Sequence, residues 1–308
     1  MENFLLAVKD EISSSFEVID EKYFDFKKNF YEPLGKAIRS RFAFHLLNAL
    51  KADWKKSVSI AASAEIVHLA SLMHDDCIDG ASKRRGFDTL NFSFGINTAI
   101  LVGDLLVSVG FKKANSVSPQ LSISLVDCIE AMTKGAILEE NFKYKIIDER
   151  IYMEIAALKT ASLFRWIALC IAMISKSNFF NECSKISENF GIAFQIIDDV
   201  LDVEGDDSFI GKESFKDLYE GKINYPMLMA IDEDYVKKRI DYFFADKTDL
   251  TPLYEIKKYL IEKKYVVAAR ERALSLIDKV KHETLALGDG ENVVDFYAFM
   301  RSMTLRRN

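Results

Sequence analysis

The sequence predicts an all-α protein, a single domain of ten or more helices that spans residues 1–308. Apolar residues recur at helical spacing along nearly the whole chain, as at Phe190, Ala193 and Ile197. Only 13 glycines and 4 prolines occur among 308 residues, too few for the many tight turns of a β-rich fold. Hydrophobic residues make up 49% of the chain, which is enough to bury a substantial core.

The helices are expected to end where Gly, Pro or Asp coincides with a gap in the apolar periodicity. No Ser/Gly-rich linker divides the chain, so the pattern favours one domain. The expected breaks lie at 33–35, 80–86, 118–119, 205–211, 221–226 and 246–252.

Composition and charge exclude several classes of protein. Lys plus Arg is 41 against 47 Asp plus Glu, and this net charge of −6 disfavours a nucleic-acid binder, which is usually basic. The most apolar stretch, 166–174, is shorter than the roughly 20 residues that cross a bilayer, so we expect a buried core helix and no transmembrane segment. No basic segment precedes an apolar run at the N-terminus, so no signal peptide is expected.

Cysteine spacing indicates a reducing compartment. The four cysteines form no CxxC pair and no Cys/His zinc spacing, so we expect free thiols in a cytoplasmic protein. They are Cys77, Cys128, Cys170 and Cys183.

Two aspartate clusters share one spacing. Residues four apart lie on the same face of a helix, so the outer aspartates of each cluster project together, whereas the middle one is turned by about 100°. Each cluster adjoins a strongly apolar segment, where a merely solvated helix face would carry more charge. The clusters are Asp75, Asp76 and Asp79, and Asp198, Asp199 and Asp202.

The spacing of these carboxylates predicts a shared metal–phosphate site. Like charges this close repel each other unless a cation is present. Mg²⁺ prefers oxygen ligands and is usually shared between one or two carboxylates and substrate phosphates. His68 lies on the same helical face as Asp75, and Gln195 lies on the same face as Asp198. A diphosphate also needs cationic partners, and the candidates are Lys36, Arg39, Arg84, Arg85, Lys159 beside Thr160, Lys212 and Lys222.

Three segments resemble a known family. The segments 68–86 and 191–202 resemble the two aspartate-rich motifs of the trans-isoprenyl diphosphate synthases, or polyprenyl synthetases. Segment 211–226 resembles the part that follows the second motif, and Gly103-Asp104 and Lys159-Thr160 occur in the expected order. The resemblance extends from about Leu34 to Pro226.

This resemblance implies an all-α bundle around a deep central cavity, a homodimer, and a role for each candidate residue. Isopentenyl diphosphate would be held by Lys36, Arg39, His68 and Arg85, and the allylic diphosphate by Arg84, Lys159, Lys212 and Lys222. Mg²⁺, three ions with diphosphate bound, would be held directly by Asp75, Asp79 and Asp198, and directly or through water by Asp76, Asp199 and Asp202. Thr160 and Gln195 would position the reacting carbons.

The chain departs from the family pattern at several positions. Ala37 and Ser40 stand where the family has Arg and Pro, and Asn224 stands where it has Thr. The usual Gly-Glu-x-x-Gln segment resembles 135–139 here, with Ala136 replacing the Glu and Glu139 at its last position. These changes put the strength of isopentenyl diphosphate binding in question and leave both aspartate clusters intact.

Small residues before the first cluster predict a long product. In the family, aromatic residues four or five positions before the first aspartate block the growing tail, and here Ser71 and Ala70 occupy those positions. With one helical turn of about 5.4 Å as the step, we expect a product of roughly thirty to forty-five carbons, suited to a quinone side chain.

Alternative hypotheses remain at this level. One is a short-chain farnesyl or geranylgeranyl diphosphate synthase, and another is a terpene cyclase or head-to-head condensing enzyme. A third, which the departures at Ala37 and Ala136 keep open, is a regulatory subunit of a heteromeric synthase. The C-terminal third has no assigned motif. Arg306-Arg307 could reach an active site, but the pattern favours a disordered basic tail.

Overall fold

The protein is all-α in the part of the chain that the computed structural model describes, which is residues 1–17, 19–26, 35–84, 86–205, 215–288 and 290–306. More than ten helices are present there, as expected. The strands within these ranges are two-residue segments, β1 (Lys83–Arg84) and β2 (Phe87–Asp88), which pair in antiparallel fashion.

The described chain divides into two compact units, so the expectation of a single domain remains a prediction. The first unit comprises Met1–Cys128 and Trp166–Phe180, and the second comprises Ile129–Arg165 and Asn181–Asn308. The chain therefore passes between the units three times, and neither unit is a continuous segment.

The first unit is built around one long helix. The helix α3 (Trp54–Ile78) begins after Asp53, whose side chain accepts a hydrogen bond from the backbone N–H of Lys56 and so caps the first turn. Its first half is buried almost all round, because other helices of the unit pack against it. These helices are α1 (Glu2–Glu17), α2 (Ile38–Leu50), α4 (Leu90–Phe94) and α5 (Ile96–Val117).

The second unit contains a long helix of the same kind, α9 (Phe180–Glu204), whose last turns carry the second aspartate motif. Phe164, Phe190 and Phe194 pack their rings against one another beside it. The chain continues through α10 (Lys216–Tyr219), α11 (Tyr225–Met229), α12 (Asp234–Ala245), α13 (Thr251–Glu262), α14 (Tyr265–Lys279), α15 (Lys281–Leu285) and α16 (Glu291–Thr304).

Two helices have parts in both units. The helix α6 (Pro119–Asn141) starts at the break expected at 118–119. Glu149–Ser175 is one helical run, composed of α7 (Glu149–Ile155), a π-helical segment (Ala156–Ala161) and α8 (Ser162–Ser175).

The length of this run bears on the expectation of a buried core helix, which stays a prediction. The apolar stretch 166–174 was expected to be too short to cross a bilayer, but the helix containing it has 27 residues and is long and apolar enough by composition. More than half of its most apolar window is buried inside the protein. This is weak grounds for a membrane span, because a buried core helix has the same length and composition.

Candidate active site

The first aspartate motif lies at the C-terminal end of α3. Asp79 caps the helix, and its backbone N–H donates to the carbonyl of Asp75 at 2.8 Å. Both residues are partly exposed, whereas Asp76 between them is 5% exposed. The two outer aspartates are thus presented one turn apart, as their spacing predicts.

Asp76 is bound by Arg84 rather than presented to solvent. The Arg84 Nε lies 3.0 Å from both carboxylate oxygens of Asp76, and Nη2 donates to Oδ1 at 2.7 Å. Burial disfavours the charge of Arg84, but its hydrogen bond to Asp76 and the charges of Asp76, Asp75 and Asp79 outweigh it, so the pKa of Arg84 is raised. Arg84, expected to hold an allylic diphosphate, therefore has an internal carboxylate partner.

The segment after the motif is fixed by hydrogen bonds to the end of α3. The Asn91 side-chain amide donates to the carbonyls of Asp76 at 3.2 Å and Ala81 at 2.9 Å. The Thr89 hydroxyl also donates to the carbonyl of Ala81, at 2.6 Å. Arg85, a candidate for isopentenyl diphosphate, lies outside the described residues.

The candidates for isopentenyl diphosphate lie on two helices of the first unit. Lys36 is exposed just before α2, and Arg39 is half-buried in its first turn. His68 is half-buried on α3, seven residues before Asp75. The structure therefore places all three in the unit that carries the first motif.

The two departures at the start of α2 differ in their local structure, and only Ser40 has a structural reason. Ala37, at the N-terminus of α2, has a left-handed backbone with φ of 50°. Ser40 donates from its backbone N–H at 2.9 Å and from its hydroxyl at 2.8 Å to Oε1 of Glu65, which is 3% exposed. A proline at position 40 would have neither donor, so Ser40 compensates for the burial of the Glu65 carboxylate.

The chain-length positions differ in exposure. Ala70 has no exposed surface, whereas Ser71 is half-buried and donates its hydroxyl to the carbonyl of His68 at 2.8 Å. Ser71 is four residues before Asp75 and shares its face, while Ala70 is turned by about 140° from it. Of the two positions, Ser71 is the one with surface beside the motif.

Gly103 lies where α5 packs closely against His74 of α3. A Cβ atom at Gly103 would lie 2.3 Å from Nε2 of His74, so a larger residue would displace the imidazole next to Asp75. The same Nε2 lies 3.2 Å from the carbonyl of Ile100 and 3.5 Å from Oδ1 of Asp104.

The second motif places its three aspartates in three environments. Asp198 has a 45% exposed side chain and forms an ion pair with Arg306. Asp199 is 3% exposed and accepts from the Tyr152 hydroxyl at 2.6 Å and from the Tyr225 backbone N–H at 2.9 Å. Asp202 accepts from backbone groups of the segment that begins α10.

A chain of hydrogen bonds connects the buried aspartate to Thr160. The Thr160 hydroxyl donates to Oε1 of Gln195 at 2.6 Å, and Nε2 of Gln195 donates to Oδ1 of Asp199 at 2.9 Å. The amide of Gln195 is therefore oriented from both ends. Thr160 and Gln195, the two candidates for positioning the reacting carbons, are therefore hydrogen-bonded in series to Asp199.

A cleft of about 570 Å³, including its opening to solvent, lies in front of this hydrogen-bond chain. Lys159 and Lys222 line it together with Glu139. Lys159 Nζ donates to Oε2 of Glu139 at 2.6 Å, and Lys222 Nζ lies 3.9 Å from the same oxygen. Two of the predicted allylic-site lysines therefore meet in one cleft, while Lys212 lies outside the described residues.

Burial and crowding raise the pKa values of the carboxylates near this cleft. Asp199 and Asp202 have pKa values well above the usual range, because they are desolvated and face the charge of Asp217. Burial, with the charges of Glu220 and Glu139, raises the pKa of Asp217 to about 6, against the opposing effect of Lys222 and Lys216. Carboxylates with such perturbed pKa values cluster at functional sites.

Arg306 corrects the expectation of a disordered C-terminal tail. Its guanidinium pairs with Asp198 and lies 4.2 Å from the ring centre of Phe194. Arg270 Nη1 donates to the backbone carbonyls of Thr304 at 3.3 Å and Arg306 at 3.0 Å and so holds the end of the chain. Arg307 lies outside the described residues.

The carboxylates fit a metal shared with a ligand. Within the described ranges, no group of three or more His, Cys, Asp or Glu side chains is close enough to hold a metal ion alone. The partly exposed aspartates offer oxygen donors, the type that Mg²⁺ prefers, without a closed cage. The donor set therefore matches Mg²⁺ that is completed by phosphate oxygens.

Comparison with known proteins gives a consistent result. Residues 21–258 match the polyprenyl synthetase family. The chain is 28% identical over 242 residues to geranylgeranyl diphosphate synthase of Saccharolobus solfataricus, covering 75% of this chain and 72% of that protein. It is 33% identical over 201 residues to octaprenyl diphosphate synthase of Escherichia coli, covering 64% and 62%.

A solved structure shows the same fold. It is a polyprenyl synthase from Caulobacter crescentus, complexed with calcium and isoprenyl diphosphate, with a TM-score of 0.89 and 23% identity over 100% of this chain and 96% of that one. Fold and sequence together define a prenyltransferase. The match over residues 21–258 covers well over half of the chain, which therefore belongs to the polyprenyl synthetase family, the trans-isoprenyl diphosphate synthases.

Proposed function

We propose that this chain condenses an allylic diphosphate with isopentenyl diphosphate repeatedly and releases a long trans-polyprenyl diphosphate. The observation that carries the substrate assignment is the cleft in which Lys159 and Lys222 lie beside the Thr160–Gln195–Asp199 chain. Lysines are suited to a diphosphate, and the oriented Gln195 amide offers a fixed dipole beside it.

The metal in this proposal is Mg²⁺, held at the first motif by Asp75 and Asp79 and at the second motif by Asp198. When bound, it would neutralise the negative charge that develops on the diphosphate as the C–O bond ionises. Lys159 and Lys222 would stabilise the same leaving group. The buried Asp199 would act through Gln195 and Thr160, which it orients, rather than as a ligand. This division of roles refines the expectation that all six aspartates contact the metal.

The proposed reaction is tested by product sizing. The purified chain would be incubated with isopentenyl diphosphate, Mg²⁺ and separate allylic primers, and the products separated by chromatography. We expect products longer than those of a geranylgeranyl diphosphate synthase. Failure to elongate any primer would contradict the proposal and favour the regulatory-subunit alternative.

Ser71 gives the sharper test of product length. The relatives include both geranylgeranyl and octaprenyl synthases, and a long product is favoured by the small Ser71 on the face of Asp75. We expect Ser71→Phe to shorten the product by at least one five-carbon unit, because the ring would fill about one helical turn before Asp75. An unchanged product distribution would contradict a tail path along this face.

Ala70→Phe is the companion variant. Because Ala70 has no exposed surface, a ring there would overpack the first unit, and it is expected to lower stability as well as change the product. Comparing the two variants by chromatography and by thermal unfolding separates blocking of the tail from damage to the core.

The proposed location is cytoplasmic, and the proposed assembly is a homodimer. All four cysteines are free, which is consistent with a reducing compartment. Apolar side chains on α4 and α5 are exposed, among them Phe92, Ile96 and Leu101. Such a surface supports an interface with a second copy of the chain.

A further inference from the structure

One carboxylate lies between the two lysines of the cleft. Oε2 of Glu139 accepts from Lys159 Nζ at 2.6 Å and lies 3.9 Å from Lys222 Nζ, which itself donates to Oε2 of Glu220 at 2.8 Å. The side chains of Glu139 and Lys159 are each 24% exposed, and that of Lys222 is 15% exposed. These are partly desolvated ion pairs, so the attraction is stronger than it would be between fully exposed groups.

The backbone holds Glu139 close to both lysines. A Cβ atom on Gly135, one turn before Glu139 on α6, would lie 2.5 Å from the backbone nitrogen of Lys159. The helix and the π-helical segment are therefore in direct backbone contact. Just after α6, the Tyr144 N–H donates to the carbonyl of Gly221 at 2.7 Å, which fixes the residue before Lys222. The approach of Glu139 to the lysines is thus set by the fold.

One charged group of the cleft opposes a diphosphate. The lining places the Glu139 carboxylate beside the two lysines. A diphosphate that reaches both lysines meets the Glu139 carboxylate between them, and like charges at that distance repel. Either the carboxylate moves away or the ligand binds more weakly.

We propose that Glu139 is an internal counter-anion, which pairs with Lys159 beside Lys222 in the free protein and lowers the affinity of the cleft for the allylic diphosphate. The inference rests on the proposed function, because it assigns these lysines to a diphosphate. In this role Glu139 weakens binding of any ligand through its diphosphate group, the allylic substrate and inorganic pyrophosphate alike, so pyrophosphate reports the effect without the contribution of an apolar tail.

The test is binding of inorganic pyrophosphate in the presence of Mg²⁺, measured by titration calorimetry. Glu139→Gln keeps the size and an acceptor oxygen but removes the charge. We expect it to bind pyrophosphate about tenfold more tightly than the unchanged protein. Glu139→Asp, which keeps the charge, should bind within about twofold of the unchanged protein.

Glu140→Gln is the matched control. Glu140 is the next residue on α6, has a 53% exposed side chain and pairs with Lys143 instead. Its substitution should leave pyrophosphate affinity unchanged, and thermal unfolding would show that each variant is folded.

The outcomes separate this inference from the function on which it rests. Unchanged or weaker binding by Glu139→Gln, with binding by the unchanged protein intact, would overturn the inference alone. An equal gain in pyrophosphate affinity for Glu139→Gln and Glu140→Gln would also overturn it, because the gain would then come from the change in net charge and not from the position of Glu139. Absence of pyrophosphate binding by both the unchanged protein and Glu139→Gln would overturn the inference together with the proposed assignment of Lys159 and Lys222 to a diphosphate.

Discussion

Adjacent aspartates of one motif have different roles at the residue scale. Asp75 and Asp79 are partly exposed at the end of α3, whereas the buried Asp76 accepts two-pronged hydrogen bonds from Arg84. A carboxylate enclosed in this way stabilises the fold, and an accessible one remains available to a ligand. The same contrast separates Asp198 from Asp199.

This contrast predicts that one substitution mainly lowers stability, whereas its neighbour mainly lowers turnover. Asp76→Asn should lower the free energy of unfolding by roughly 2 kcal/mol, because it leaves the partly buried guanidinium of Arg84 without a charged partner. Asp75→Asn should leave that free energy within about 0.5 kcal/mol of its original value and reduce turnover at least about a hundredfold. Urea unfolding and product assays measure the two effects. If Asp76→Asn were as stable as the unchanged protein and lost more turnover than Asp75→Asn, Asp76 would be the residue that serves the reaction.

At the scale of elements, the C-terminal segment contacts the second aspartate motif. The Arg306 guanidinium lies against Asp198 and Phe194, and Arg270 holds the backbone of this segment from α14. The Arg306 guanidinium therefore forms an ion pair with Asp198, the carboxylate proposed to bind a metal. Metal and Arg306 would compete for Asp198.

This competition predicts tighter metal binding when the arginine is removed. Arg306→Ala should raise the affinity for Mn²⁺, a spectroscopic substitute for Mg²⁺, by about fivefold, the amount expected for a partly exposed ion pair. Electron paramagnetic resonance of free Mn²⁺ would measure it without substrate. The control is Arg301→Ala on α16, since Arg301 pairs with Asp278 and should not affect the metal. Weaker Mn²⁺ binding by Arg306→Ala would show that Arg306 supports the site rather than competing for it.

The sequence was most informative about features that repeat at short range. Helical spacing predicted which aspartates of α3 and α9 share a face, and the break at 118–119 separates α5 from α6 as expected. Contacts between distant segments had no signal in the sequence: Tyr152 lies 47 residues before Asp199, and Arg306 lies 108 residues after Asp198. Asp217 and Glu139 were within recognised segments, but their roles depend on lysines that the fold brings to them.

At the scale of the whole molecule, several large apolar side chains of the first unit are exposed to solvent on two consecutive helices. Phe92 and Phe94 on α4, and Ile96, Ile100 and Leu101 on α5, are between 40% and 68% exposed. Single exposed apolar residues are ordinary, but several on consecutive helices form a surface suited to another protein chain.

Leu101 is the most exposed of these side chains, at 68%, and gives the clearest test of the homodimer. If α4 and α5 form the interface, Leu101→Glu places a charge in its apolar centre and should raise the dimer dissociation constant at least about a hundredfold. Leu6→Glu on α1 is the control, because Leu6 is 60% exposed outside this surface and should leave the dimer intact. Sedimentation velocity over a range of concentrations distinguishes the variants. Equal dissociation constants for both would place the interface elsewhere, and dissociation by Leu6→Glu alone would place it at α1.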